Sequence, residues 1–162
     1  MRRNRLKLAL LFLGLIFIFY GCIPAASENG SYYVRTVIDG DTVILTNGKH
    51  LRYIGIDTPE SRKKISGTWV FNPEPYAVVA CELNKSMVEG KKVRLEFDKE
   101  PTDKYGRWLA YVFVNDKMIN EELLRHGYAT VYTIPPNVKY VNRFSVAEDT
   151  AKKKKMGLWS LK

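Results

Sequence analysis

Three short segments hold side chains whose types and spacing could do chemistry. Asp39-Gly40-Asp41-Thr42 sets two carboxylates at i and i+2, where their oxygens can converge on a hard cation such as Ca²⁺. The same four residues, taken alone, read equally as an Asp-Gly hairpin turn. An EF-hand does not fit, because the other spaced ligands and the closing Glu of that loop are missing. Asp57-Thr58-Pro59-Glu60 brings two more carboxylates, with Arg52 five residues upstream, and in isolation is also a strand-ending turn. Asp103-Lys104-Tyr105-Gly106-Arg107 gathers cations and a phenol in a stretch that otherwise reads as a solvated loop. His50 precedes a strand and His126 ends a helix, so both read as structural, which speaks against a histidine-bound metal centre.

These segments need a frame to hold them. The chain has 162 residues, room for one domain, and its 46% apolar and 27% charged residues describe a packed core rather than a disordered polymer. Lys plus Arg number 26 against 17 Asp plus Glu, so an anionic partner is expected. Cys22 and Cys81 are too few for a disulfide scaffold or a Cys-based zinc site, and Cys81 reads as a buried thiol on an apolar helix face.

Residues 1–26 read as an export leader or membrane anchor, and 27–162 as the folded domain. Arg2, Arg3, Arg5 and Lys7 precede an uncharged run from Leu8, the layout of a signal peptide. Phe19-Tyr20-Gly21-Cys22 resembles a bacterial lipobox, in which the cysteine is lipidated, although Phe19 stands where Leu is usual. The uncharged run continues to Ala26, so an uncleaved anchoring helix and ordinary cleavage remain open beside lipidation of Cys22. All three place the domain outside the cytoplasm.

The remaining chain reads strands first. Tyr32–Ile38, Thr42–Leu45 and His50–Ile56 are β-branched or aromatic runs separated by Asp39-Gly40 and Asn47-Gly48, a three-stranded meander. Ser61–Asn72 reads as a polar loop with a basic patch at Arg62-Lys63-Lys64. A helix over Pro73–Glu89 follows, then strands Val93–Phe97 and Trp108–Val114, and helices Ile119–His126 and Arg143–Lys155. Five strands with a helix between the third and fourth is the order of an α+β OB-type barrel, a fold whose open face often binds oligonucleotides.

With the three segments in this order and spacing, the chain resembles the thermonuclease family, the staphylococcal nuclease-like enzymes. The matching stretches are Asp39 to Thr42, Arg52 to Glu60 (RYIGIDTPE), Thr102 to Tyr111 (TDKYGRWLAY) and Met118 to Gly127. The resemblance implies a five-stranded OB barrel with three helices and a Ca²⁺-dependent endonuclease acting on DNA and RNA with little sequence specificity. It places the catalytic arginines and glutamate at Arg52, Arg107 and Glu60. The calcium carboxylates fall at Asp41 and Asp57, with the Thr58 carbonyl joining them and Asp39 close by. Lys104 and Tyr105 match positions that hold a terminal phosphate, and a monomer is expected. Two places depart from the pattern: Trp69 and Phe71 replace a more basic stretch, and Trp108 stands where a small residue is familiar.

The residue types suit that reaction. Phosphodiester hydrolysis moves a second negative charge onto the phosphoryl oxygens, which two guanidiniums and a divalent cation can meet as it develops. Arginine's planar fork donates twice to one phosphate and keeps its proton. Glu60 is the carboxylate left over for the attacking water, as general base or as its orienter. The other reading is an OB module that grips nucleic acid without cutting it, which would be expected to lack one of Arg52, Glu60 or Arg107.

Overall fold

The computed structural model describes residues 31–161; the leader and Cys22 lie outside the described residues. In chain order the elements are β1 (Ser31–Val37), β2 (Thr42–Leu45), β3 (His50–Tyr53), β4 (Ile56–Asp57), β5 (Arg62–Ile65), β6 (Thr68–Phe71), α1 (Ala77–Val88), β7 (Lys92–Glu96), β8 (Trp108–Val114), β9 (Lys117–Met118), α2 (Ile119–Arg125), β10 (Thr130–Val131) and α3 (Val141–Lys153), with a final 3₁₀ turn at Gly157–Leu161.

β1, β2 and β3 form the antiparallel meander, and β1 also pairs with β7, which pairs with β8. The sheet closes where β3 meets β8 in parallel, Leu51 opposite Trp108, Arg52 opposite Leu109 and Tyr53 opposite Ala110. The result is a closed five-stranded barrel with three helices, the OB-type α+β fold expected from the strand order.

Alternation along the strands fills the barrel. Val43, Leu45, Leu51, Tyr53 and Leu95 are buried in it, and on β8 the whole run Ala110–Phe113 is buried. The helices add stripes at helical spacing: Ala77, Ala80, Asn84 and Val88 on α1, and Phe144, Ala147 and Ala151 on α3. Gly55 turns the chain out of β3 at φ +81, and a Cβ there would stand 2.6 Å from the Phe144 ring, so both backbone and packing require glycine. Asn120 is wholly buried, accepting the Val112 N–H at 2.9 Å and donating to the Ile54 carbonyl at 2.9 Å, which ties α2 to the barrel wall.

Four expectations need correction. The third strand stops at Tyr53 rather than Ile56, because Gly55 bends it, and Ile56–Asp57 pairs instead with β10. Ser61–Asn72 is not a loop: β5 and β6 form a two-stranded hairpin through Ser66 and Gly67, both at positive φ as a type I′ turn requires. The first helix begins at Ala77, after Tyr76 adopts a left-handed conformation. Cys81 is half-buried against the core rather than enclosed. Trp108 packs edge-on against Tyr32 and Phe97 at centroid distances of 5.5 and 5.6 Å, so its role is packing.

α2 and α3 are clamped by one carboxylate. Glu121, with only 5% of its side chain exposed, accepts from Arg125 of its own helix and from Arg143 of α3. Burial pushes its carboxyl up, but the hydrogen bonds from Arg143 and Arg125 outweigh this and hold it below the ordinary 4.5. A depressed value means the clamp is complete above that pH and fades as pH falls through the lower folded-state value. Both arginines stay half in water, so Glu121→Gln should cost on the order of 2 kcal/mol at pH 7. Urea unfolding of wild type and variant should show that gap at pH 7 and a narrower one at pH 3.

Candidate active site

The Asp39–Thr42 turn and the β3–β4 corner meet because Gly40 has no side chain. A Cβ at Gly40 would lie 2.6 Å from Thr58 Oγ1, so any larger residue would push the two segments apart. Asp41 is fully buried here. One of its oxygens accepts the Thr58 N–H at 3.0 Å; the other accepts from Thr42 Oγ1 at 3.1 Å and from Arg52. Asp39 accepts the Asp41 N–H at 3.1 Å and so braces the turn.

Arg52 leaves β3 with one terminal nitrogen on Asp41 and the other on Asp57 Oδ1. Its guanidinium is therefore a cation shared by two carboxylates, one enclosed and one half-exposed. Burial raises the Asp41 carboxyl well above its ordinary range, with Arg52 opposing and Asp39 adding to the rise. Negative charge at this spot thus stays costly even with Arg52 beside it. Among the described residues no three His, Cys, Asp or Glu side chains gather as a metal cluster. Asp41 and Asp57 remain a pair of hard oxygen donors already occupied by a positive group, which suits a divalent cation such as Ca²⁺.

Arg107 approaches from the loop before β8. Asp103 holds it: Oδ2 accepts Arg107 Nε at 2.7 Å, while Oδ1 accepts the backbone N–H groups of Tyr105 at 2.9 Å and Arg107 at 3.0 Å. Burial would raise the Asp103 carboxyl, but these donors keep it below its ordinary value. Arg107, so held, lines the cleft. The Tyr105 ring is 73% exposed with Lys104 Nζ 5.0 Å from its centre, placing both at the rim.

Arg52, Glu60, Lys104, Tyr105 and Arg107 all line one cleft of about 590 Å³, together with Tyr132 and Ile134. The structure thus brings together the two arginines and the glutamate singled out in the sequence. Asp41, Asp57 and Thr58 stand behind Arg52 rather than in the lining. Burial raises the Glu60 carboxyl, Asp39 adds to the rise and Arg52 counters it. His50 is exposed at the start of β3, and His126 bonds the Glu122 carbonyl at 2.8 Å, both away from this cleft.

Two positioning residues were missed in the sequence. Asp103 belongs to a legible Asx-turn pattern, yet its grip on Arg107 is visible only in the fold. Asn84, a buried polar residue on the apolar stripe of α1, accepts from Tyr53 Oη at 3.0 Å and donates to the Asp39 carbonyl at 3.2 Å, linking β3 to the turn. Its place in that stripe was the available signal.

Fold and site together define a small closed barrel with a cation-lined cleft set against one buried and one half-exposed carboxylate. The chain belongs to the staphylococcal nuclease family: the model described as "Staphylococcal nuclease homologue" matches residues 50–161. It is 41% identical over 132 residues to the thermonuclease of Staphylococcus intermedius, covering 80% of this chain and 76% of that one. The thermonuclease of Staphylococcus hyicus is 42% identical over 133 residues, with the same coverage. Endonuclease YncB of Bacillus subtilis is 44% identical over 128 residues, which span 76% of this chain but 58% of YncB.

Replacing Asp103 by Asn removes the charge that orders this loop. The Tyr105 and Arg107 amides should then exchange with solvent roughly 10-fold faster, as expected when a charge-assisted acceptor is weakened. Hydrogen exchange by NMR measures it, with barrel amides as the unchanged reference.

Proposed function

We propose that this chain is a calcium-dependent endonuclease that hydrolyses DNA and RNA with little sequence specificity. Family membership makes it a nuclease, a hydrolase of phosphodiester bonds. One observation carries the finer reading: Arg52 faces the cleft shared with Glu60 and Arg107 while its guanidinium rests on Asp41 and Asp57.

The roles follow from the chemistry. Arg52 and Arg107 donate to the phosphoryl oxygens, and their grip strengthens as negative charge builds there. Glu60, exposed at the cleft edge, orients the attacking water and takes its proton. Asp41, Asp57 and the Thr58 carbonyl would hold Ca²⁺, with Asp39 bracing the turn beneath. A Ca²⁺ held there would supply divalent charge to offset the charge that builds on the phosphoryl oxygens. Lys104 and Tyr105 receive a flanking phosphate at the rim. The non-cutting OB module is disfavoured, since Arg52, Glu60 and Arg107 share one cavity.

A gel assay on single-stranded DNA tests this reading. Cleavage should need Ca²⁺ in the ~10⁻⁴–10⁻³ M range, as a site with few carboxylates binds weakly, and Mg²⁺ should substitute poorly because it resists losing water. Full activity in excess chelator would refute the calcium assignment. Arg107→Lys and Glu60→Gln should each lower kcat by roughly 10² or more with an unchanged circular dichroism spectrum.

The N-terminal segment sets the location we propose, outside the cytoplasm and tethered as a monomer through a lipid on Cys22 or an uncleaved helix, or else released by cleavage. Mass spectrometry of the mature N-terminus separates these outcomes. A lipid-bearing Cys22 supports the first, and an intact Arg2–Lys7 segment rejects it.

A further inference from the structure

The β5–β6 hairpin lies outside the barrel, and all eight of its strand residues are exposed. Between Ser61 and Asn72 it contains Arg62, Lys63 and Lys64 and no acidic residue. Trp69 and Phe71, each 65% exposed, make no ring contact among the described residues. Such large aromatics left in water on a cationic arm point to a ligand.

Register sorts these side chains. Residues directly opposite share a face, and Arg62 pairs with Phe71 and Lys64 with Trp69. One face therefore presents two rings and two cations. The other presents Lys63, Ile65, Thr68 and Val70, and its only cation is spent on Glu74 at 3.3 Å. Arg62 and Lys64 make no ion pair among the described residues. The hairpin stem is fixed at the site: the Glu60 N–H bonds Glu74 Oε2 at 3.2 Å, and the Glu74 N–H bonds the Glu60 carbonyl at 3.0 Å.

We propose that this face is a platform for unpaired bases of the nucleic acid whose backbone enters the cleft beside Glu60, with Trp69 and Phe71 stacking on successive bases and Arg62 and Lys64 meeting the phosphates between them. The proposal rests on the nuclease reading and deepens it. Two residues apart on one strand, the rings stand ~7 Å from each other. That is twice the ~3.4 Å spacing of nucleotides along a duplex strand, so only a strand free to extend can set neighbouring bases on both rings. Interleaved rings and cations suit alternating bases and phosphates, the arrangement of single-strand binding surfaces. A lipid surface is the competing partner for exposed aromatics beside lysines, but a face rooted at Glu60 is placed for substrate.

Two measurements on the full chain decide. First, kcat/KM is compared for a 12-nucleotide oligo(dT) and for thymidine 5′-(p-nitrophenyl phosphate), which is too short to reach the hairpin. The ratio should fall about 100-fold in the Trp69→Ala, Phe71→Ala double variant, ~10-fold for each ring, and hold in Val70→Ala on the opposite face. Second, in excess chelator, oligo(dT) should quench tryptophan emission in wild type, and Trp69→Phe should bind yet lose that quenching. An unchanged ratio in the double variant overturns the platform, as does equal quenching by duplex DNA. Trp69 emission that shifts with phosphatidylglycerol vesicles and not with oligo(dT) overturns it in favour of a membrane. Should wild type cleave neither substrate, the nuclease site is what fails, and the quenching still decides on the hairpin.

Discussion

The parallel pairing of β3 with β8 is the constraint on which the rest of the molecule depends, because it joins the two ends of the strand order β3-β2-β1-β7-β8 and closes the sheet into a barrel. The pairing sets Arg52 against Leu109, and so brings the loop ending at Arg107 beside a strand far away in sequence. Parallel strands need a long crossover, and here α1 and β7 supply it. Asn120 reinforces the closure from α2, bonding the Val112 amide of β8 and the Ile54 carbonyl just beyond β3.

On that frame the site is an exercise in charge placed before it is needed. Asp41 is held where burial strongly disfavours a carboxylate's charge, and Arg52 offsets part of that cost. The same guanidinium lines the cleft, so the group that stabilises buried negative charge inside the protein is the one presented to an anionic substrate. Arg107 is arranged differently: a single carboxylate, Asp103, holds its Nε and its backbone amide. One arginine is oriented by two carboxylates from separate segments, the other by its own loop. Preorganisation of this kind means little rearrangement remains when charge develops on a phosphoryl group.

Beside the cleft stands the β5–β6 hairpin. A stretch that ordinarily reads as polar connection is here a regular ladder with its own I′ turn, projecting from the glutamate at the cleft edge. A two-stranded ribbon without a buried face is marginal by itself. Its anchoring by the Glu60–Glu74 pair at the stem therefore couples its position to the site.

Much was legible in the residues alone. Strong β-branched runs punctuated by Asp-Gly and Asn-Gly yielded β1, β2 and the start of β3, and the long apolar run Trp108–Val114 appeared as β8 with the bounds read from it, since turn chemistry and alternation are local properties. The candidate arginines, glutamate and carboxylates were legible as types at recurring spacings. What the residues could not reveal was contact between distant segments: that Gly40 is required by Thr58, that Asn84 on α1 steadies the Asp39 turn, and that Asp103 grips Arg107. The hairpin was misread because Arg62-Lys63-Lys64 looks like loop composition, and only pairing with Thr68–Phe71 turns it into a strand. Local sequence determines which backbone each segment prefers and which chemistry it offers. Barrel closure decides which offers face one another, because the distances that matter span residues whose proximity only the completed sheet enforces.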